Sequence, residues 1–246
     1  MKDADHKCNN TLFLSKQPKE PLLNVPFIIV VLIALCCYIY FIPQYFFSGW
    51  LYFKSLQFFS FTPVLFKAEP LAFGHTIMSY SFMHGSFEHV AINMAWLLVF
   101  GSPLVRQLGS LRFLIFWVLT AAISVLTYFT FHQDSTVPVV GASGVISGMM
   151  GAVARYGFSA VYVGVSVRNK RFFGPLRSIK KALCSKTVQI YVGIWLMINF
   201  IIGISSSLFE GGNVSIAWES HIGGLFSGFF LVGFFDISHD KVKITV

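Results

Sequence analysis

Six long apolar runs, each free of Asp, Glu, Lys and Arg, divide this chain of 246 residues at about 22–42, 90–105, 113–131, 137–154, 188–209 and 222–235. A helix of roughly 20 such residues crosses a hydrocarbon core of about 30 Å. Lipid offers no partner for backbone N–H and C=O groups, so a spanning segment must satisfy its own, as a helix does. The pattern predicts an all-α membrane protein with six transmembrane helices. Hydrophobic residues make up 55% and charged residues 11% of the chain, and mean hydropathy is +0.70, which excludes an ordinary soluble domain. The first run follows a polar, Lys-bearing segment and has no small-residue cleavage pattern behind it, so it reads as a retained span.

A net charge of +8 would point to nucleic acid in a soluble domain, but here the placement of the charges explains the sum. If the spans alternate, 16 of the 18 Lys and Arg fall on one side: in the N-terminal tail, at Arg106 and Arg112, after span four, and at Lys241 and Lys243. Lys54 and Lys67 fall opposite. The positive-inside rule then sets both termini in the cytoplasm and agrees with an even number of spans. Nucleic acid is not an expected partner; the bilayer is. Cys36 and Cys37 are adjacent inside span one, while Cys8 and Cys184 fall on the cytoplasmic side, which makes no disulfide framework.

The expected organisation is a cytoplasmic tail over 1–21, one membrane domain over 22–236, and a cytoplasmic tail over 237–246. The external segment at about 43–84 carries Phe46, Phe47, Trp50, Tyr52, Phe53, Phe58, Phe59 and Phe61. That is too aromatic for a solvated loop and too interrupted for a span, so it is expected in the membrane interface or packed on the outer helix ends. The basic loop at about 168–187 is expected against anionic headgroups.

With the N-terminus inside, spans two, four and six all begin on the external face, and the unusual polar residues sit at those three ends. They are His84, Glu88, His89 and Asn93, then Ser143, then His221. Polar groups at membrane depth are costly and mark function by default. From His221 to Asp236 lie 14 apolar residues, about 21 Å of helix, so span six is too short unless it starts below the outer surface. Gly144 and Gly148 form a small-xxx-small face on span four, and Gly224 and Gly228 form another on span six. If those faces meet, Ser143 and His221 come within hydrogen-bond reach, a nucleophile beside a general base. No carboxylate is placed to orient the imidazole, so the pair reads as a dyad. The N–H of Ser143 near a helix start, with His89 and Asn93 four residues apart on one helical face, supplies donors for an oxyanion. His84 is given a supporting role.

His84, His89 and Asn93 in H-x4-H-x3-N, then Gly141-x-Ser143-Gly144, then His221-x2-Gly224-x3-Gly228 resemble the signature of the rhomboid intramembrane serine proteases. Gly101 and Gly109 also fit. The resemblance covers about 22–236 and implies a six-helix rhomboid-like bundle with Ser143 and His221 as the catalytic dyad and His89, Asn93 and Ser143 binding the oxyanion. Gly141, Gly144, Gly148, Gly224 and Gly228 would support them. It further implies cleavage of transmembrane protein substrates near the external face, with no metal or cofactor, in the inner (plasma) membrane of a bacterium. Where family members often carry Trp-Arg in the first external loop this chain has His75-Thr76. It has Val105 for an acidic residue, Ser147 for an aromatic that packs on the histidine, and Ser220 for an alanine.

Three other readings stand beside this one. His84 to His89 reads H-x-x-x-E-H, one residue longer than an inverted zinc motif. A rhomboid-like protein with weak or no catalysis would bind membrane partners or serve quality control. A transporter would show repeated halves or paired broken helices, and neither is visible. The substrate and the oligomeric state are not written in the sequence.

Overall fold

The computed structural model describes residues 25–158, 174–209 and 217–236, with side chains described up to 203 in the second stretch. The tails over 1–21 and 237–246, Cys8, and residues 168–173 of the basic loop lie outside the described residues.

Helices form where the apolar runs were expected. They are α1 (Phe27–Phe46), α2 (Phe87–Leu108), α3 (Ser110–Phe131), α4 (Ser143–Tyr156), α5 (Lys186–Phe209) and α6 (Trp218–Phe235). Among the described residues α1, α2, α3 and the Lys186–Gly203 part of α5 are long and apolar enough to cross a membrane. The other two fall short for identifiable reasons. α4 has only 14 residues, about 21 Å. α6 is diluted by Glu219, His221 and its glycines.

Packing explains how such helices are tolerated. Every residue of α4 from Gly144 to Tyr156 except Met150 is buried, so this helix meets protein on all sides and has no need of a lipid-facing surface. The outer helices do the reverse: only 17% of α1 and 11% of the α5 stretch is buried, leaving side chains such as Val30, Tyr38, Ile194 and Ile201 turned outward. α4 packs most extensively against α6, with α3 against both. A β-carbon on Gly224 would collide with the Gly144 carbonyl, one on Gly228 with the Gly148 carbonyl, and one on Gly151 with the Leu225 carbonyl. Backbone thus lies on backbone along about two turns, the arrangement that favours helix association in lipid through dispersion contacts.

Helix boundaries depart from the runs where backbone chemistry intervenes. Span four was expected from 137, but α4 begins at Ser143, because Pro138 cannot donate to a ladder and Gly141 has φ +122°. The turn between spans two and three contracts to Gly109 alone, at φ +83°. Within α2 a π-helical turn covers Leu97–Gly101, and Gly101 packs against the side-chain ends of Leu97 and Ile29.

The segment between α1 and α2 is built of short helices, Gly49–Phe59, Pro63–Ala68, Pro70–Phe73 and Thr76–Ser79. The first buries none of its residues and exposes Trp50, Phe53, Phe58 and Phe59, as suits an interfacial helix. The next stretch is tied to the α3–α4 connection. Phe61 and Val139 exchange backbone hydrogen bonds of 3.1 and 2.8 Å, and the Val64 N–H donates to the Ser135 carbonyl at 3.1 Å. Lys67 meets Asp134 at 2.7 Å. The His75 ring packs at a tilt on Phe58, with centroids 4.6 Å apart, and its Nε2 lies 2.6 Å from the Phe58 carbonyl. The Thr76 hydroxyl donates to the Phe73 carbonyl.

Candidate active site

Ser143 is the first residue of α4, and the segment before it decides where its hydroxyl sits. Gly141 donates its N–H to the Tyr80 carbonyl at 2.9 Å. A β-carbon on it would lie 2.7 Å from Cε1 and Nε2 of His89 and 3.6 Å from Nδ2 of Asn93. Only glycine fits that contact and that dihedral, so the backbone two residues before Ser143 is laid against the His89–Asn93 face of α2. Ser86 caps α2 by accepting from the His89 N–H at 3.2 Å, fixing the turn that carries His89.

His221 lies in the first turn of α6. Its Nε2 is 2.8 Å from Ser143 Oγ and its Nδ1 is 2.7 Å from Asn199 Oδ1. The turn is pinned from α3, where Ser124 Oγ donates to the Ser220 carbonyl at 2.7 Å. Glu219 meets His132, at the end of α3, at 2.8 Å, and Tyr128 stacks on the same imidazole.

Ser124 also gives the depth of the site. A β-carbon on Gly144 would run into Ser124 Oγ, so the start of α4 is level with Ser124. That residue precedes the C-terminal end of α3, Phe131, by seven positions, which at 1.5 Å each is about 10 Å. The Ser143–His221 contact therefore lies about two helical turns below the end of its neighbour. Both side chains are only partly buried, so a reactant can still approach them.

Two polar groups of α2 face this region. Asn93 is buried and its Nδ2 has no partner, and the His89 ring lies against Gly141, two residues before Ser143. Neither nitrogen of buried His84 has a hydrogen-bond partner either; its ring packs edge-on against His89 with centroids 5.2 Å apart. Its contact is therefore with His89 rather than with the serine. Ser143 begins the helix, so its N–H has no acceptor from a preceding turn.

Other residues singled out in the sequence play packing parts. Gly144, Gly148, Gly224 and Gly228 form the α4–α6 contact. Ser147 donates to the Ser143 carbonyl at 2.8 Å, and its β-carbon lies beside Gly224. Val105 is buried in α2. Glu88, central to the zinc-like reading, is exposed while His84 is buried, and among the described residues no three His, Cys, Asp or Glu side chains converge. Asn199 was missed in the sequence, although an amide in an otherwise apolar span is itself a signal.

Comparison with known proteins bears on this geometry. The Rhomboid domain family model matches residues 74–237, which takes in every residue of the site. The rhomboid protease GluP of Bacillus subtilis is 28% identical over 148 residues, covering 60% of this chain. The match covers 23% of that relative's own length.

Proposed function

The chain belongs to the rhomboid family, and from that premise we propose that it is an intramembrane serine endopeptidase that cuts transmembrane segments near the external face. The observation that carries the reading is the 2.8 Å contact between Ser143 Oγ and His221 Nε2 at the mouth of a glycine-lined helix pair. In this reading Ser143 Oγ attacks the scissile carbonyl while His221 Nε2 takes its proton. The oxyanion accepts hydrogen bonds from the Ser143 N–H and from the side chains of His89 and Asn93, the Nδ2 of Asn93 being otherwise unpartnered. His221 returns the proton to the leaving amine. It then draws a proton from water as the water attacks the acyl-serine, and passes that proton to Ser143 Oγ as the acyl C–Oγ bond breaks and the carboxylic acid product leaves.

The location of the chemistry follows from depth. A site about 10 Å below the end of α3 meets a peptide bond at the outer part of a substrate span, provided the substrate helix unwinds there. The same reading takes all six helices as spans with both termini cytoplasmic and puts the protein in the inner membrane of a bacterium. Supporting it are the 16-to-2 division of basic residues and the bacterial relative.

The test is labelling of the detergent-solubilised protein with a serine-reactive fluorophosphonate. Labelling of the wild type that disappears in Ser143→Ala is expected. An unlabelled wild type, or equal labelling of the variant, would refute an activated serine.

A further inference from the structure

We propose that Asn199 of α5 is the positioning residue of this site: it holds the His221 imidazole in the tautomer and orientation that lets Nε2 accept the proton of Ser143. The proposal rests on the serine-protease reading above and extends the dyad to Ser143–His221–Asn199.

The argument begins with the amide. Asn199 stands in an apolar helix between Ile198 and Phe200, where an unpaired amide would be expensive. Both of its ends are used. Nδ2 donates to the Trp195 carbonyl one turn earlier, at 3.0 Å, and Oδ1 lies 2.7 Å from His221 Nδ1. Exchanging the oxygen and nitrogen would set the amide oxygen against the Trp195 carbonyl oxygen, so the bond to Trp195 fixes which end faces the histidine.

An amide oxygen only accepts, so Nδ1 of His221 must carry a hydrogen. In a neutral imidazole the other nitrogen then holds the lone pair, and that nitrogen is the one 2.8 Å from Ser143 Oγ. The serine hydroxyl donates to it, the direction that proton abstraction requires. As Nε2 takes up the proton, the ring becomes an imidazolium whose Nδ1–H still points at an amide dipole, so the charge is stabilised without a carboxylate at this depth.

The neighbouring contacts hold Asn199 at this distance. On the same side of α5, Gly203 lies against Trp218, where a β-carbon would come within 2.7 Å of the indole, and Phe200 meets the same ring edge-on at 6.1 Å. These contacts lock α5 to the first turn of α6 beside His221. With Ser147 in place of an aromatic, support for the imidazole comes from α5.

The experiment uses the full chain in nanodiscs with ¹⁵N-histidine, His221 being assigned by the signal lost in His221→Phe. At a pH where the ring is neutral, the wild type should show the proton on Nδ1, and Asn199→Leu should shift population to the Nε2–H form. Turnover of a transmembrane substrate should fall about tenfold to a hundredfold in Asn199→Leu with KM little changed, the size expected for one orienting hydrogen bond. Asn199→Asp keeps an oxygen for Nδ1–H and should recover most of the loss, which separates orientation from a folding defect. A wild-type proton on Nε2, or an Asn199→Leu variant with unchanged tautomer and turnover, would overturn the proposal. The expected tautomer in a chain that cleaves nothing would uphold the role of Asn199 and refute the proteolytic reading.

Discussion

Gly228 of α6 lies against Gly148 of α4 so closely that a β-carbon on Gly228 would fall on the Gly148 carbonyl oxygen. The obstacle is backbone, which cannot rotate out of the way as a side chain can, and the next glycine pair up the helices, Gly224 and Gly144, repeats the arrangement. The distance between Ser143 and His221 is thus set by residues that carry no chemistry.

Gly228→Val should therefore lower stability by roughly 3 kcal/mol or more, at or above the upper end of ordinary overpacking. Gly193→Ala is the control. It lies on α5 with nothing within 4 Å of the added carbon, and it should be neutral or stabilising by up to about 1 kcal/mol through helix propensity. Thermal denaturation in detergent compares them; equal midpoints for the two variants would contradict the packing account.

Much of this arrangement was legible because lipid restricts the options. Apolar runs announced the helices, and paired glycines announced the faces. Polar residues at the starts of spans two, four and six pointed to Ser143 and His221, which lie 2.8 Å apart, and to the His89–Asn93 face against which Gly141 lies. What escaped notice has physical reasons. Asn199 sits on α5, which in the expected topology approaches the outer face at its C-terminal end, so attention to helix starts passed over it. The start of α4 depends on a glycine dihedral at Gly141 that an apolar pattern does not reveal. The pinning of His221 through Ser124 and Ser220 joins residues 96 positions apart, beyond the reach of any local pattern.

His89 and Asn93 are expected to matter more in the transition state than in the ground state. Removing one good oxyanion donor costs on the order of 10² to 10³ in rate, but the Ser143 N–H remains and the two side chains can partly replace each other. Asn93→Ala should be the milder lesion and His89→Ala the more severe, both lowering kcat with little change in KM. Steady-state kinetics on the folded fraction decides: a normal kcat for the double variant His89→Ala/Asn93→Ala would rule out the oxyanion role.

Six spans with both ends cytoplasmic should be visible in a reporter-fusion or cysteine-accessibility map. Residues 168–187 are expected inside and residues near Lys54 and Lys67 outside, as the distribution of basic residues requires. Finding 168–187 outside would invert the face on which Ser143 lies and overturn the assignment of cleavage to the external side.

The most direct test of the central claim is cleavage itself, by purified protein in nanodiscs with a transmembrane substrate carrying a helix-destabilising residue in its outer half and the products mapped by mass spectrometry. The account predicts a single cut in the outer part of the span, insensitive to chelators. It predicts loss of the cut to background in both Ser143→Ala and His221→Ala, since nucleophile and base act as one unit. Cleavage that persists in either variant, or that is abolished by chelation and restored by zinc, would contradict it.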